Sequence, residues 1–408
     1  VRVLSVGSVY PPHLLGGYEV IWQGVTHQLI AEGHASRVLV TDYANPDVEA
    51  GAPEDPGVHR ELRWYWRDHT WPRFSLRERI NLEHHNAAVF DRQLAQFTPD
   101  VVAFWPMGGM SLSLITRAQR AGLGTIFFLL DPWPSYGPTH DLWLGTWSGA
   151  GRRRLRGLAE RFTALPTRVD LGQGHWVFCS EWMRANSGLS LDPDQAVVLT
   201  PGVEERYLTA PAARPRDWSW RLLYLGRVVE QKGVITAIEA LAELPPEATL
   251  AVVGSGDADY RSALERRASA LGVAARVSFV PPVDRDATVA AYQAADVVLH
   301  PVRWGEPWGL VPLEAMAAGR PVVATGQGGS ADFLADGANA LLHAPGDAAG
   351  LAAAVLRLAG DPALRGRLVA AGHRTAQTHT ATAFNLAAVR EIAAVAAGGA
   401  EDCQNTIV

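Results

Sequence analysis

Residues Asp296-Val297-Val298-Leu299-His300-Pro301-Val302-Arg303-Trp304-Gly305-Glu306-Pro307-Trp308-Gly309-Leu310-Val311-Pro312-Leu313-Glu314-Ala315-Met316-Ala317-Ala318-Gly319-Arg320-Pro321-Val322-Val323-Ala324-Thr325 read as strand, loop, helix and strand. The two apolar runs, 296–300 and 320–324, are short and rich in Val, which suits strands buried on both faces of a parallel sheet. Between them a Gly/Pro/Trp loop leads into a helical segment. The same alternation recurs along the chain and predicts an α/β protein with helices on both faces of its sheets. In the first half the strand candidates are 1–6, 37–42, 100–104, 124–130, 175–179 and 196–200. In the second half they are 221–225, 248–253, 276–280, 296–300, 320–324 and 340–342. Each set is enough for one doubly wound, Rossmann-like sheet.

The stretch 203–220, with Pro211, Arg214, Pro215, Arg216 and Asp217, reads as a linker between the halves. Residues 43–75 hold Pro and Gly clusters with Trp64, Trp66 and Trp71, and predict long loops or a short hairpin. After Asp361-Pro362 two Ala-rich helices reach to about residue 398, and Glu401 to Val408 look like a frayed tail.

A chain of 408 residues is too long for one ordinary core, and two domains of about 200 residues are the natural division. With 48% hydrophobic and 19% charged residues, both can bury full cores. A net charge of −6 speaks against a nucleic-acid protein, whose phosphate-tracking surface would show as a basic excess. The two cysteines, Cys179 and Cys403, cannot make a disulfide scaffold and read as free thiols of a reducing compartment. No apolar run of 18 residues is present, and Val1-Arg2-Val3-Leu4-Ser5-Val6 reads as a buried strand rather than a leader, so a cytoplasmic protein without a transmembrane segment is expected.

In open parallel sheets ligands collect where strand carboxyl ends meet loops and helix N-termini, and two such sheets facing each other would make a cleft. Three loops of this kind carry chemistry. The first, Gly7 to Glu19, places Gly16-Gly17 at a helix start, where backbone N–H groups can approach an anion. A glycine turn with no ligand is the alternative, and the GxGxxG dinucleotide pattern is absent. The second, Leu225-Gly226-Arg227-Val228-Val229-Glu230-Gln231-Lys232-Gly233, follows the first strand of the second half. Of 36 basic residues Lys232 is the only lysine, and it lies five positions from Arg227. A planar fork and a point charge on one loop suit a diphosphate, against the plainer reading of a solvated basic loop. The third is the opening stretch, in which Glu306 stands in the loop and Glu314 on the helix. Two carboxylates so placed can serve different parts of one ligand, and Gly309 leaves room for a close backbone. The alternative is a helix-start acid at Glu306 and a surface residue at Glu314, although Leu313, Ala315 and Met316 around Glu314 argue against simple exposure.

Glu306 and Glu314 with Pro-Trp-Gly-Leu between them, followed by Gly-Arg-Pro-Val-Val-Ala-Thr at 319–325, resemble the retaining GT4 glycosyltransferases of the GT-B fold. Gly16-Gly17, Thr200-Pro201-Gly202-Val203, Gly226-Arg227, Lys232-Gly233, Val253-Gly254-Ser255-Gly256 and Gly328-Gly329 extend the match, which is tight over 221–343 and loose in the first half. The resemblance implies two Rossmann-like domains across a cleft. Residues 1–205, with a crossover helix at about 384–398, would bind the acceptor, 206–383 would bind a nucleotide-diphosphate sugar, and 399–408 would be a tail. Arg227 and Lys232 would hold the diphosphate and stabilise the leaving group, Glu306 would bind the transferred sugar and Glu314 the ribose. Gly16 and Gly17 would close over the phosphates, with Gly226 and Gly254 at the donor. The backbone of Gly309, Leu310 and Val311 would lie beside phosphate or ribose, and Val283 near the base. No metal or other cofactor is implied, and uridine is the family's usual base.

Two departures matter. The histidine common near the reacting sugar is replaced by Phe104-Trp105-Pro106 and Leu129-Leu130-Asp131, so Asp131 is the substitute, backed by His140, unless it merely caps the turn before Pro132. Asp332 stands where a glutamate is common. Inverting chemistry through His13, an epimerase or hydrolase on the same donor site, and a silent sugar-nucleotide-binding protein are the rival readings. Most of the 14 tryptophans lie in the first half, and Trp105, Trp133, Trp143 and Trp147 suggest an aromatic cleft for an oligosaccharide or glycosylated natural product, or else a core. Arg152, Arg153, Arg154 and Arg156 near Leu155 and Leu158 read as a solvated face, with lipid contact the less favoured alternative.

Overall fold

The structure is a computed structural model that describes residues 1–46, 48, 49, 51–66, 71–209 and 217–405, with side chains through residue 398. The chain divides into two compact units. One comprises Val1–Leu199 together with the chain from Asn385 onward, and the other Thr200–Phe384.

The first unit is built on a seven-stranded parallel sheet of β1 (Arg2–Val6), β2 (Ala35–Thr41), β3 (Val58–Leu62), β4 (Val101–Phe104), β5 (Gly124–Leu129), β6 (His175–Phe178) and β7 (Ala196–Val198). Their order is β3-β2-β1-β4-β5-β6-β7. All four residues of β4 are buried, as the uninterrupted apolar run requires. The core is aromatic: Phe127 stacks on Trp176 at 4.1 Å between ring centroids, and Trp105 on Phe128 at 4.2 Å. The long helix Leu76–Phe97 starts on a capping box, in which Ser75 Oγ accepts from the Glu78 N–H and the Ser75 N–H donates to the Glu78 carboxylate at 2.7 Å.

The second unit carries β8 (Arg221–Leu225), β9 (Thr249–Val253), β10 (Val277–Val280), β11 (Val297–His300), β12 (Val322–Ala324) and β13 (Leu341–Leu342) in the order β10-β9-β8-β11-β12-β13. This is the 3-2-1-4-5-6 order of dinucleotide-binding sheets, whose topological switch falls between β8 and β11. Its core packs Leu222, Tyr224, Leu250, Val252 and Leu299 of the sheet against Ile238, Leu241, Leu264 and Val355 of the covering helices. Each fully buried Leu or Ile contributes about 1.5–3 kcal/mol.

Three sequence expectations are corrected. Residues 58–62 form neither a loop nor a hairpin but the parallel edge strand β3, paired with β2. Its polar centre, His59-Arg60-Glu61, hides the strand from a hydrophobicity reading, and Arg60 is engaged by the carbonyls of Tyr10 and Pro11 at 3.0 Å each. The unit boundary falls at Leu199/Thr200 rather than 205/206, because Thr200–Thr209 packs on the second unit. There Trp308 Nε1 donates to the Pro201 carbonyl at 2.8 Å, Val203 bridges to Thr380, and Tyr207 meets the Tyr292 ring. Within the expected linker Pro211, Arg214, Pro215 and Arg216 lie outside the described residues. The last helix runs Ala381–Asn405, so residues 399–405 of the expected tail are helical, in keeping with a run that contains no proline.

Candidate functional site

In the second unit three loops are fastened together at the carboxyl ends of β8, β9 and β11. Gly226 and Gly254 both have φ in the region open to glycine, +138° and +146°, and a Cβ at Gly254 would run into the Gly226 carbonyl oxygen. Val228 bridges to Gly256, and its N–H donates to the Ser255 carbonyl at 2.8 Å. On the other side a Cβ at Gly233, whose φ is +69°, would run into the Pro301 carbonyl oxygen, and the Arg303 N–H donates to the Gln231 carbonyl at 2.8 Å. The loops flanking the switch point are therefore one rigid piece.

On that piece Lys232 Nζ pairs with Glu306 Oε1, while Glu306 Oε2 accepts from His300 Nε2 at 2.8 Å. A carboxylate only accepts, so that histidine nitrogen carries the proton. Side-chain exposure is 16% for Lys232, 12% for Glu306 and 5% for His300. Burial alone would raise the Glu306 pKa, but the Lys232 charge and the His300 contact outweigh it and hold the carboxyl far below the usual range. Glu306 is thus a carboxylate at any working pH. Its backbone is held too, by a bridge to Gly328 and by the Gly329 N–H donating to its carbonyl at 2.7 Å.

Arg227 stands on the same loop with its side chain exposed, its carbonyl accepting from the Tyr224 hydroxyl at 2.6 Å. Gly309, at φ +121°, caps the helix Leu310–Ala317. A Cβ there would lie 3.8 Å from His300 Nε2, so the helix N-terminus opens beside the His300–Glu306 pair. The first-turn N–H groups, those of Leu310 and Val311 among them, have no acceptor four residues back and form a ready anion site.

One turn further along, Glu314 Oε2 accepts from the Tyr292 hydroxyl at 2.7 Å, and Tyr292 is fully buried. Burial, aided by the nearby Glu204 charge, lifts the Glu314 pKa to about 7 against the pull of the Tyr292 hydrogen bond and Arg285. A folded-state value above the ordinary 4.5 means that the native protein binds the extra proton between those limits. The contribution is fully present below the unfolded value and is lost as pH rises through about 7. Wild-type protein is therefore expected to lose roughly 2–3 kcal/mol between pH 5 and 8, and Glu314→Gln to show a flatter profile, as read by urea unfolding at stepped pH. A wild-type profile as flat as the variant's would contradict the assignment. Val283 is exposed in the loop after β10, three strands from β11, and is not drawn into this cluster.

In the first unit Gly16 and Gly17 are exposed. Gly17 caps the helix Tyr18–Ala31, and the Gly16 N–H donates to Glu19 Oε2 at 3.0 Å. The next residue, Tyr18, donates its hydroxyl to the Phe128 carbonyl on β5, which brings the helix start to the end of that strand. Asp131 follows β5, half-buried, and accepts from the Tyr136 hydroxyl at 2.5 Å. Burial first, and the Asp131 charge second, keep both tyrosines protonated by raising their pKa values. Asp131 does not cap the helix Trp133–His140, which has no side-chain cap. The His140 ring lies 4.5 Å from that of Trp71.

The aromatic acceptor surface expected from Trp105 and Trp133 is corrected. Both are 0% exposed, Trp105 between Trp22 and Phe128 and Trp133 against Phe127 and Trp176, because the first sheet uses indoles as core filler. His13 is half-buried, with its Nδ1 accepting from the Asn45 N–H at 3.2 Å. Sequence reading missed His300, Tyr292 and Tyr18. His300 alone was signalled, as a polar residue ending an apolar strand six positions before Glu306. Among the described residues no cluster of three His, Cys, Asp or Glu side chains could hold a metal, and no helix is long and apolar enough to cross a membrane.

Two parallel sheets of this topology define a GT-B architecture, and solved structures of that fold superpose along the chain. The Anabaena protein HepE, solved in complex with UDP and glucose, matches with a TM-score of 0.68 at 19% identity, covering 96% of this chain and 99% of its own. Sucrose-phosphate synthase from Thermosynechococcus elongatus matches with a TM-score of 0.70 at 20% identity, covering 96% and 98%. In sequence, residues 212–375 match the family described as Glycosyl transferases group 1. A glycogen synthase of Mycobacterium tuberculosis is 37% identical over 172 residues, 41% of each chain. A D-inositol 3-phosphate glycosyltransferase of Acidothermus cellulolyticus is 34% identical over 238 residues, 52% of this chain and 53% of its own. The chain thus spans about half the length, or less, of the curated relatives it matches. The matched stretch 212–375 lies within the second unit, Thr200–Phe384, which therefore resembles the glycosyl transferases group 1 family, also called GT4.

Proposed function

We propose that this protein is a retaining, metal-independent glycosyltransferase that takes a sugar from a nucleotide diphosphate, UDP being the expected carrier, and passes it to an acceptor hydroxyl. The observation that carries the reading is the Lys232–Glu306–His300 cluster set at the switch point beside the N-terminus of the helix Leu310–Ala317. A diphosphate at that terminus would meet the N–H groups of Leu310 and Val311, with Arg227 and Lys232 neutralising charge as the sugar–phosphate bond breaks. Glu306, held ionised, suits sugar hydroxyls, and Glu314 suits the ribose. Gly226, Gly254 and Gly309 let backbone approach the ligand, and Val283 is assigned to the base.

The second unit is the donor side on this reading, and the first unit, through Gly16-Gly17, Asp131 and His140, serves the sugar and the acceptor. The acceptor hydroxyl attacks the anomeric carbon on the face from which the diphosphate leaves, and the departing phosphate oxygen takes its proton. No protein nucleophile is needed. With Trp105 and Trp133 in the core, nothing favours a flat natural-product acceptor over an oligosaccharide.

A thermal-shift panel of nucleotide sugars tests the donor site. At about 100 times Kd a ligand of the native state adds about 2.7 kcal/mol, a rise of roughly 5–10 °C. UDP-sugars are expected to give it, with the effect lost in Lys232→Ala. A panel without any response would remove the proposal, and NMR of the product's anomeric proton decides retention.

A further inference from the structure

The surface segment that follows Trp147 is built unlike the rest of the molecule. Between Asp141 and Asp170 the sequence has six arginines, Arg152, Arg153, Arg154, Arg156, Arg161 and Arg168, and a single acid, Glu160, in a chain whose net charge is −6. That acid is turned to the protein, pairing with Arg120 at 3.2 Å and accepting from the Thr167 N–H at 2.9 Å. The helix Arg156–Thr163 buries none of its residues. Instead its apolar side chains face out: Leu155 is 52% exposed, Leu158 54% and Phe162 79%. Spacings of three and four put these three on one side.

The stems of the segment are fixed. Arg153 Nε donates to the Ser148 carbonyl at 2.8 Å and Arg156 Nε to that of Trp147 at 3.1 Å, which anchors the short helix to the body of its unit. Arg154 and Arg161 remain exposed beside the apolar side chains. An outward apolar strip rimmed by arginine is the pattern of a helix lying in the plane of a bilayer surface, where Phe and Leu enter the acyl boundary and arginine meets phosphate headgroups. A second copy of the chain fits less well, because a two-fold contact would set the arginine rims against each other.

We propose that residues 150–163 form a docking surface for an anionic phospholipid bilayer, which would hold the protein reversibly at a membrane. The test is sedimentation of the full chain with sucrose-loaded vesicles, either phosphatidylglycerol and phosphatidylcholine in equal parts or phosphatidylcholine alone. Binding to the anionic vesicles is expected to exceed binding to neutral ones by about tenfold or more and to fall with added salt. Leu158→Ser with Phe162→Ser lowers the anionic binding by about tenfold or more, since two apolar side chains no longer enter the lipid. Arg154→Glu with Arg161→Glu removes the preference for anionic lipid. All four side chains are exposed, so an unchanged melting temperature separates lost docking from lost folding. The proposal is overturned by equal sedimentation with both compositions, by none with either, or by full binding in the Leu158/Phe162 variant. A lipid-free dimer that Phe162→Ser dissolves would overturn it as well.

Discussion

Replacing Lys232 by alanine is expected to lower kcat by a factor of about 100 to 1000 with a verified donor and acceptor, the cost of one preorganised charge at a developing anion. Lys232 is the one lysine of the chain, and its ammonium, together with His300, keeps Glu306 ionised in a largely buried place. Its loss leaves the carboxylate with His300 alone, so stability should also fall, by about 2–3 kcal/mol, below the full cost of an orphaned buried charge because some solvent reaches the pair. The two effects separate in a double variant. Lys232→Ala with Glu306→Gln should recover part of the stability, since the uncompensated charge is gone, and none of the rate. Lys232→Arg keeps the charge but substitutes a planar fork for a compact ammonium, and should restore folding more than turnover. Unchanged turnover in Lys232→Ala would refute the catalytic assignment.

Gly328→Ala should be among the most damaging small substitutions in the second unit. Gly328 has φ +73°, and an added Cβ would strike the Glu306 carbonyl oxygen and amide nitrogen and come within 2.7 Å of the Gly305 carbonyl carbon. Backbone cannot swing aside as a side-chain end can, so the loop carrying Glu306 must move. A loss of about 3 kcal/mol or more is expected in denaturant unfolding, with activity falling further than folding. Gly319→Ala is the control. Its φ of +69° imposes a similar conformational strain, but nothing lies within 4 Å of the added carbon, and it should lose only about 1 kcal/mol. Equal losses at the two positions would show that the Glu306–Gly328 contact has no special weight.

The sheets were legible because their strands are apolar on both faces, and uninterrupted Val and Leu runs such as 296–300 announce such strands. β3 was not, because an edge strand needs one buried face only and Val58-His59-Arg60-Glu61-Leu62 carries its polar residues to carbonyl and carboxylate partners. The residues proposed for the donor side were readable as types at spacings: a lone lysine, two acids, glycines at strand ends. Their mutual contacts were not, since pairing Lys232 with Glu306 depends on β8 and β11 being neighbours, a fact of topology rather than of distance along the chain. Aromatic composition misled in the first unit. A tryptophan reads the same whether it lines a surface or fills a core, and burial of Trp105 and Trp133 followed from the strands and helices around them. Likewise Tyr292 has no local signal, being a helix residue whose hydroxyl meets Glu314 from another element.

The first unit is not one stretch of polypeptide. Asn385 of the last helix occupies the space above Gly24, Val395 lies against Gly124, and Glu391 pairs with His175 at 2.8 Å. A gene fragment ending at residue 199 would lack all three, and would expose the apolar seats of Val389 and Ile392 that the helix normally fills. Anyone grafting this half onto another protein of the same fold must therefore transplant two separated coding segments at once, and directed-evolution libraries made by single-crossover recombination at the Leu199/Thr200 seam should yield chiefly insoluble hybrids.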